Sequence, residues 1–387
     1  MKLLKSNSLL PLALAAALAG CAQQAATPTA AGAPQAASKS AQVQRQAVAQ
    51  GLYEIAYSAK QDAVFVASSG GRGEGATPPK VLRLNPQTLA VQAEIALERA
   101  GFGVMLDDAS NRLYVGNTND GSVTVIDTTT NKVAGLVQLT EKTKVTGPDG
   151  KEAERHPYNF REIVVDSAKH RLYLTGFSFQ NSALFVVDTR TLKVEKTLPG
   201  FGFVATGITL DAKGGKLYVA NLQGQLFTVD TTSFAVNKVE AGGDQLLNLV
   251  YDQGNRRVLA TDQGLEMIDG MRGKLGKVEN YAQRGKGNRV VAINPADGKT
   301  IANLATGEGP VALLLDEPRQ RLFVTNRGSG TVSVFDNRSN ALLQTIALPT
   351  HPNSLALDSR RNVLYVTVKN GEKDPKGASD SVARVQF

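Results

Sequence analysis

The stretch "LLLDEPRQRLFVTNRGSGTVSVFDNRSNALLQTIAL", Leu313 to Leu348, decides the fold. It reads as four short runs rich in β-branched and aromatic residues, parted by Asp, Asn, Gly and Ser, with no helical period. The same order recurs in "MLDDASNRLYVGNTNDGSVTVIDTTTNKVAGLV" from Met105 and "IVVDSAKHRLYLTGFSFQNSALFVVDTRTLKVEKTL" from Ile163. Weaker copies begin near Tyr53, Ile208, Leu249 and Leu355, which makes seven. A single four-stranded sheet cannot bury both of its faces, so successive copies must stack. Four strands per repeat of this length predict an all-β chain, a seven-bladed β-propeller of four-stranded antiparallel blades. The last copy has only three strands, "SLALDS", "VLYVTVK" and "SVARVQF". The segment Val43–Gln50, "VQRQAVAQ", precedes the first copy and is expected to supply the missing outermost strand, closing the ring and covering two sheet edges.

The residues repeated in register read as structural. Phe65, Tyr114, Tyr173, Tyr218, Phe323 and Tyr365 fall on second strands and are expected to pack between blades. Asp166, Asp211, Asp252, Asp316 and Asp358 end first strands, and Asp127, Asp188, Asp230 and Asp336 end third strands. There a short carboxylate accepts backbone hydrogen bonds and nucleates the turn. Asn117, Asn221 and Asn326 have the same explanation.

Outward from the repeats, the chain divides at its N-terminus. Residues 1–20 carry Lys2 and Lys5 before an apolar run from Leu9 to Leu18, the pattern of an export signal. The run ends Leu18-Ala19-Gly20-Cys21, which resembles the bacterial lipobox and marks Cys21 as a lipidation site. Residues 21–42, rich in Ala, Gln, Thr and Pro, are expected to be a disordered tether, with the propeller at 43–387. The expected location is the periplasm, lipid-anchored, with Ala22 after the cysteine favouring the outer membrane. One cysteine and three histidines exclude a disulfide framework and a Cys/His zinc site, so no cofactor or metal is expected. The formal charge of +8 falls to +6 without Lys2 and Lys5.

The Leu-Tyr-Val-x-Asn repeats resemble those of YVTN-type propellers, and "AVAQGLYEIAYS", "NFREIVVD" and "LPTHPNSLAL" with "LYVTVK" make residues 43–387 similar to the periplasmic YncE type. That resemblance implies binding, with single-stranded DNA association attributed to the type. In a propeller, the loops between second and third strands and those between blades share one mouth of the central channel. This top face carries Phe102, Tyr158, Phe160, Arg161, Glu162, Phe203, Arg327, His351, Asn353 and Lys369 as candidate ligand contacts, aromatic rings beside cations being suited to stacking bases and neutralising phosphates. The alternative is that some rings plug the channel and that Arg161 with Glu162 is a structural ion pair. An insertion in the fifth copy, 263–288, leads into Arg289. Over this stretch Arg272, Lys274, Lys277, Tyr281, Arg284, Lys286 and Arg289 are expected to form a mobile basic arm toward a polyanion, nucleic acid or lipopolysaccharide. The expected function is thus a non-enzymatic, monomeric envelope binding protein for single-stranded DNA or another polyanion. A scaffold for envelope proteins and a lactonase-like hydrolase using His351, Glu162 and Arg161 are the alternatives, although no catalytic motif is present.

Overall fold

The computed structural model describes residues 41–387 apart from Arg72, Glu74, 147–150, 276, 277, 279 and 280. Cys21, Lys277 and the 1–40 region fall outside the described residues. Ser40–Phe387 is one compact unit, and among the described residues no helix is long and apolar enough to cross a membrane. Seven four-stranded antiparallel sheets form the ring. Blade 1 consists of Leu52–Ser58, Ala63–Ser68, Lys80–Leu84 and Val91–Ala96, and blades 2 to 6 repeat that order from Val104, Asn159, Ala205, Leu246 and Pro310.

Blade 7 is completed from both ends of the chain. Its order is Gln42–Ala49, Asp380–Gln386, Val363–Lys369, His351–Asp358, with Gln42 opposite Gln386 and Ala47 opposite Ser381. The strand expected at Val43–Gln50 therefore closes the ring, displaced by one residue. Because Asp380–Gln386 runs from the top face to the bottom and Gln42–Ala49 runs antiparallel to it, the chain enters the ring on the bottom face.

Each blade turns from its first to its second strand through a residue in the left-handed region: Asp62, Asn111, His170, Gly215, Arg256, Gln320 and Asn362. The aspartate before the turn ties it down. Asp166 accepts the Lys169 N–H at 3.1 Å, Asp211 the Gly214 N–H at 2.8 Å and Asp358 the Arg360 N–H at 3.0 Å. Third-strand aspartates do the same, as Asp127 with Thr129 and Asp188 with Arg190. The second-strand aromatics lie between blades: Tyr114 packs with Leu172 and Val187 of blade 3, Tyr173 with Leu217 of blade 4, and Tyr365 with Val64 of blade 1. Leu259 takes this position in blade 5.

The two departures from the repeat lie on the top face. A hairpin, Thr143–Thr146 with Glu152–Arg155, stands between blades 2 and 3. The insertion of blade 5 is not the extended arm expected of it. It folds into a helix, Glu266–Lys274, with acids in its first turn and bases in its last, matching the helix dipole. Arg272 is buried and donates to the carbonyls of Leu222 and Asp244. Tyr281 lies between the Arg272 and Arg284 guanidinium groups at 3.9 and 5.5 Å, its hydroxyl on Asp244. Arg284 donates to the carbonyls of Gly224 and Ala241 and pairs with Glu240, while Arg289 pairs with Asp262 at 3.0 Å. Three arginines of the expected arm are thus committed to holding it down, because backbone carbonyls at the ends of blade 4 need donors. Lys274 and Lys286 remain exposed.

Candidate functional site

The channel mouth is shaped by a bulge near the start of the innermost strand in six blades, between Leu52 and Ile55, Phe160 and Ile163, Ala205 and Gly207, Leu246 and Leu249, Pro310 and Leu313, and Pro352 and Leu355. A bulge re-aims the residues it contains. Second-strand threonines facing these bulges latch neighbouring blades. Thr261 donates to the Val311 carbonyl, Thr325 to Asn353 and Thr367 to Tyr53, and Thr175 to Thr206, which itself donates to Leu247. Blades 1, 2 and 4 carry Ala67, Gly116 and Ala220 at the position of those threonines. Thr206 serves blade 4, and in blade 2 Thr118 donates to the Phe160 carbonyl at 2.6 Å instead. Between blades 1 and 2 no threonine latch stands among the described residues, and polar side chains occupy the mouth beside it.

Those side chains are Glu54 from blade 1 and Arg161 and Glu162 from blade 3. Between them Gly103 of blade 2 leaves the space: a methyl group there would overlap the Arg161 carbonyl oxygen. Through this gap Glu54 accepts the Val104 N–H at 2.8 Å. Enclosure by the channel wall pushes the Glu54 carboxyl well above the usual range. The negative charge of Glu162 adds to this, and Arg161 and the Val104 N–H oppose it. The Arg161 Nε lies 3.7 Å from Glu162 Oε1, the structural ion pair, while that oxygen is buried without a hydrogen-bond donor. A cavity of about 200 Å³ adjoins the cluster, lined by Tyr53, Glu54, Phe102, Thr118, Asn119 and Arg161 among others. Glu54 was absent from the expected site. Aligning "LYEI" with "FREI" at the bulge places it on Glu162 and is the signal that finds it.

The other side of the mouth is plugged. Phe203, Val204, Leu222, Leu247 and Val311 form one apolar cluster across blades 4 to 6, with Ile268 and Met271 of the insertion helix packed on it. Phe203 is therefore core, as is Phe160, whose ring meets Phe185 edge-on at 4.9 Å. Phe102 is buried against Tyr53 at 4.6 Å. Neither Phe160 nor Phe203 offers a face for stacking a ligand, because wedges between twisted blades need large rings, and Phe102 keeps only its contact with the cavity of about 200 Å³. Asn353 is buried, its carbonyl taken by Thr325. Lys369 is spent on the Leu52 carbonyl at 2.6 Å and on the Tyr53 ring at 3.9 Å.

Among the described residues the rim carries, besides a cleft of about 370 Å³ at Arg272 and Tyr281 of the insertion, two larger ones. One of about 480 Å³ joins Arg327 and His351 with Leu265, Glu308 and Val311, and the His351 Nδ1 donates to the Arg327 carbonyl at 2.9 Å. His351 and Arg161, two of the three residues considered for a hydrolase, line different cavities. The other, about 500 Å³, lies between the 143–155 hairpin and blade 3, where Lys144, Arg155 and His156 stand beside the half-buried rings of Tyr158 and Phe179, with Asn159, Gln180 and Asn181. The hairpin and Phe179 were not among the expected features, though the Gly147-Pro148-Asp149-Gly150 turn signal between "KVT" and "KEAER" marks it.

Fold and site together define a seven-bladed β-propeller whose channel mouth is half plugged and half polar. No family model matches the chain. It is 31% identical over 350 residues to the "Uncharacterized protein YncE" of Salmonella typhimurium (strain LT2) and to that of Escherichia coli (strain K12), covering 88% of this chain and 90% of each relative. The chain belongs to the YncE family. Among solved structures, a chain of "Crystal Structure of Mitotic Checkpoint Complex" superposes with a TM-score of 0.64 at 12% identity, covering 89% of this chain and 91% of that one, a likeness of fold alone.

Proposed function

We propose that this protein is a non-enzymatic binding propeller of the bacterial cell envelope, anchored by lipid on Cys21, which takes single-stranded DNA or a similar polyanion on its top face. The carrying observation is the cleft of about 500 Å³ beside the hairpin, which unites the two aromatic rings of Tyr158 and Phe179 with the exposed cations Lys144 and Arg155. Stacking on rings and pairing with phosphates is what sequence-tolerant single-strand binding requires. The hairpin carries carboxylates as well, Glu154 standing opposite Lys144, so it is the pairing of rings with cations, and not an excess of charge, that supports this cleft. With Lys144 and Arg155 as the two phosphate contacts, the logarithm of affinity for an unstructured oligonucleotide should fall against the logarithm of salt with a slope of about −1.4. The double variant Lys144→Ser/Arg155→Ser should flatten it. A complex absent at low salt, or a slope the double variant leaves unchanged, contradicts the proposal.

A second reading, a lactonase-like hydrolase, is favoured by one observation: Glu54 holds its proton above the usual range beside Glu162 and Arg161, the perturbation expected of an acid catalyst. Lactone turnover abolished by Glu54→Gln supports it; no turnover across a panel of lactones removes it.

A further inference from the structure

The formal excess of positive charge does not reside on the top face. At the bottom, the turns between first and second strands and between third and fourth strands sort their charges by depth. Asp316 is buried against the Arg321 guanidinium at 2.7 Å, and Asp107, Asp166, Asp211, Asp252 and Asp358 are buried, held inward by the turn hydrogen bonds that they accept. Asp127, Asp188, Asp230 and Asp336 are half-buried by the same duty. The basic residues of these turns point the other way. Lys60, Lys132, Arg190, Lys193, Lys213, Arg256, Arg319, Arg338, Arg360 and Arg361 are exposed, with Glu317 and Asp297 the exposed acids among them. Some are paired, as Arg190 with Asp188 and Arg361 with Asp62. Among the described residues, Lys132, Lys193 and Lys213 make no ion pair. The cations sit on turns of all seven blades, so they form a ring of charge and not a groove, complementary to a flat anionic surface rather than to a single strand.

The direction of the chain meets that surface. Gln42 lies opposite Gln386, whose side chain reaches the Arg361 carbonyl in a bottom turn of blade 7. Gln42, where the closing strand begins, therefore lies at the basic face, while the hairpin cleft is on the opposite one.

We propose that the bottom face docks on an anionic phospholipid bilayer, its ring of outward lysines and arginines against the headgroups and the ligand-binding face turned away. Lysines and arginines near such a surface contribute additively and are screened by salt. This docking goes beyond the ligand reading and does not depend on it. The test is sedimentation of the unlipidated Ser40–Phe387 unit, which contains every strand of the closed ring, with vesicles. It should bind phosphatidylcholine vesicles containing phosphatidylglycerol at low salt, leave them as salt rises, and ignore phosphatidylcholine alone. The triple variant Lys132→Ser/Lys193→Ser/Lys213→Ser should bind at least about tenfold more weakly. A second triple, Lys60→Ser/Arg256→Ser/Arg338→Ser, should do the same, and Lys144→Ser/Arg155→Ser should bind vesicles as the parent does. Equal binding to both vesicle types, or parental binding by both triples, overturns the proposal. So does loss of oligonucleotide binding in the triples with vesicle binding unchanged, which would assign the ring to nucleic acid.

Discussion

Glu54 is the residue on which the polar side of the mouth depends, and its proton has a consequence for stability. A carboxyl whose pKa is raised by folding binds its proton more tightly folded than unfolded. Its contribution is complete below the ordinary carboxylate range and is lost as pH rises through the folded pKa. The parent should therefore lose Tm with rising pH in that window, and Glu54→Gln, which cannot ionise, should lose less. Glu162→Gln removes the neighbouring charge and should narrow the window toward acid. Identical Tm profiles for parent and Glu54→Gln would show that the carboxyl is not held as described. The sequence yielded Arg161 and Glu162 but not this partner. Neighbours in sequence declare themselves, whereas Glu54 reaches Glu162 only by crossing a blade at Gly103, a contact set by bulge geometry.

At the scale of elements, what was legible was whatever the repeat imposes: the Asp turns, the inter-blade aromatics, the closing strand. What was not legible was the fate of the departures from it. Counting charge between Arg272 and Arg289 suggested a solvated arm, because sequence composition does not register the carbonyls of Leu222, Gly224 and Ala241 to which its arginines donate. Three rings assigned to the ligand face, Phe102, Phe160 and Phe203, likewise went to the core. The insertion helix should come loose when its buried anchor is removed. Arg272→Met strands the Leu222 carbonyl and should cost about 1–3 kcal/mol. Limited proteolysis should then cut within 263–288 much faster than in the parent, with the rest of the ring resistant. An equal cutting rate would mean that Arg272 is not the anchor and that the remaining contacts, Gln245 with Leu265 and Asp269 among them, hold the helix without it.

For the whole molecule, closure by Gln42–Ala49 joins the two ends of the chain and hides the edge of Asp380–Gln386. Removing residues 41–49 uncovers that edge and should lower Tm by about 10 °C and cause concentration-dependent association; an unchanged monomer with parental Tm would deny the strand its role. Closure also fixes the polarity of the ring, with Gln42 at the basic bottom face and the aromatic and basic cleft on top. The claim that joins fold to function is that an extended polyanion is taken in that cleft. Its most direct test is ultraviolet cross-linking of a single-stranded oligonucleotide to the intact ring, with the adducts mapped by mass spectrometry. The account predicts adducts on Tyr158 and Phe179, lost in Lys144→Ser/Arg155→Ser; adducts confined to the 263–288 insertion or to the bottom turns would contradict it.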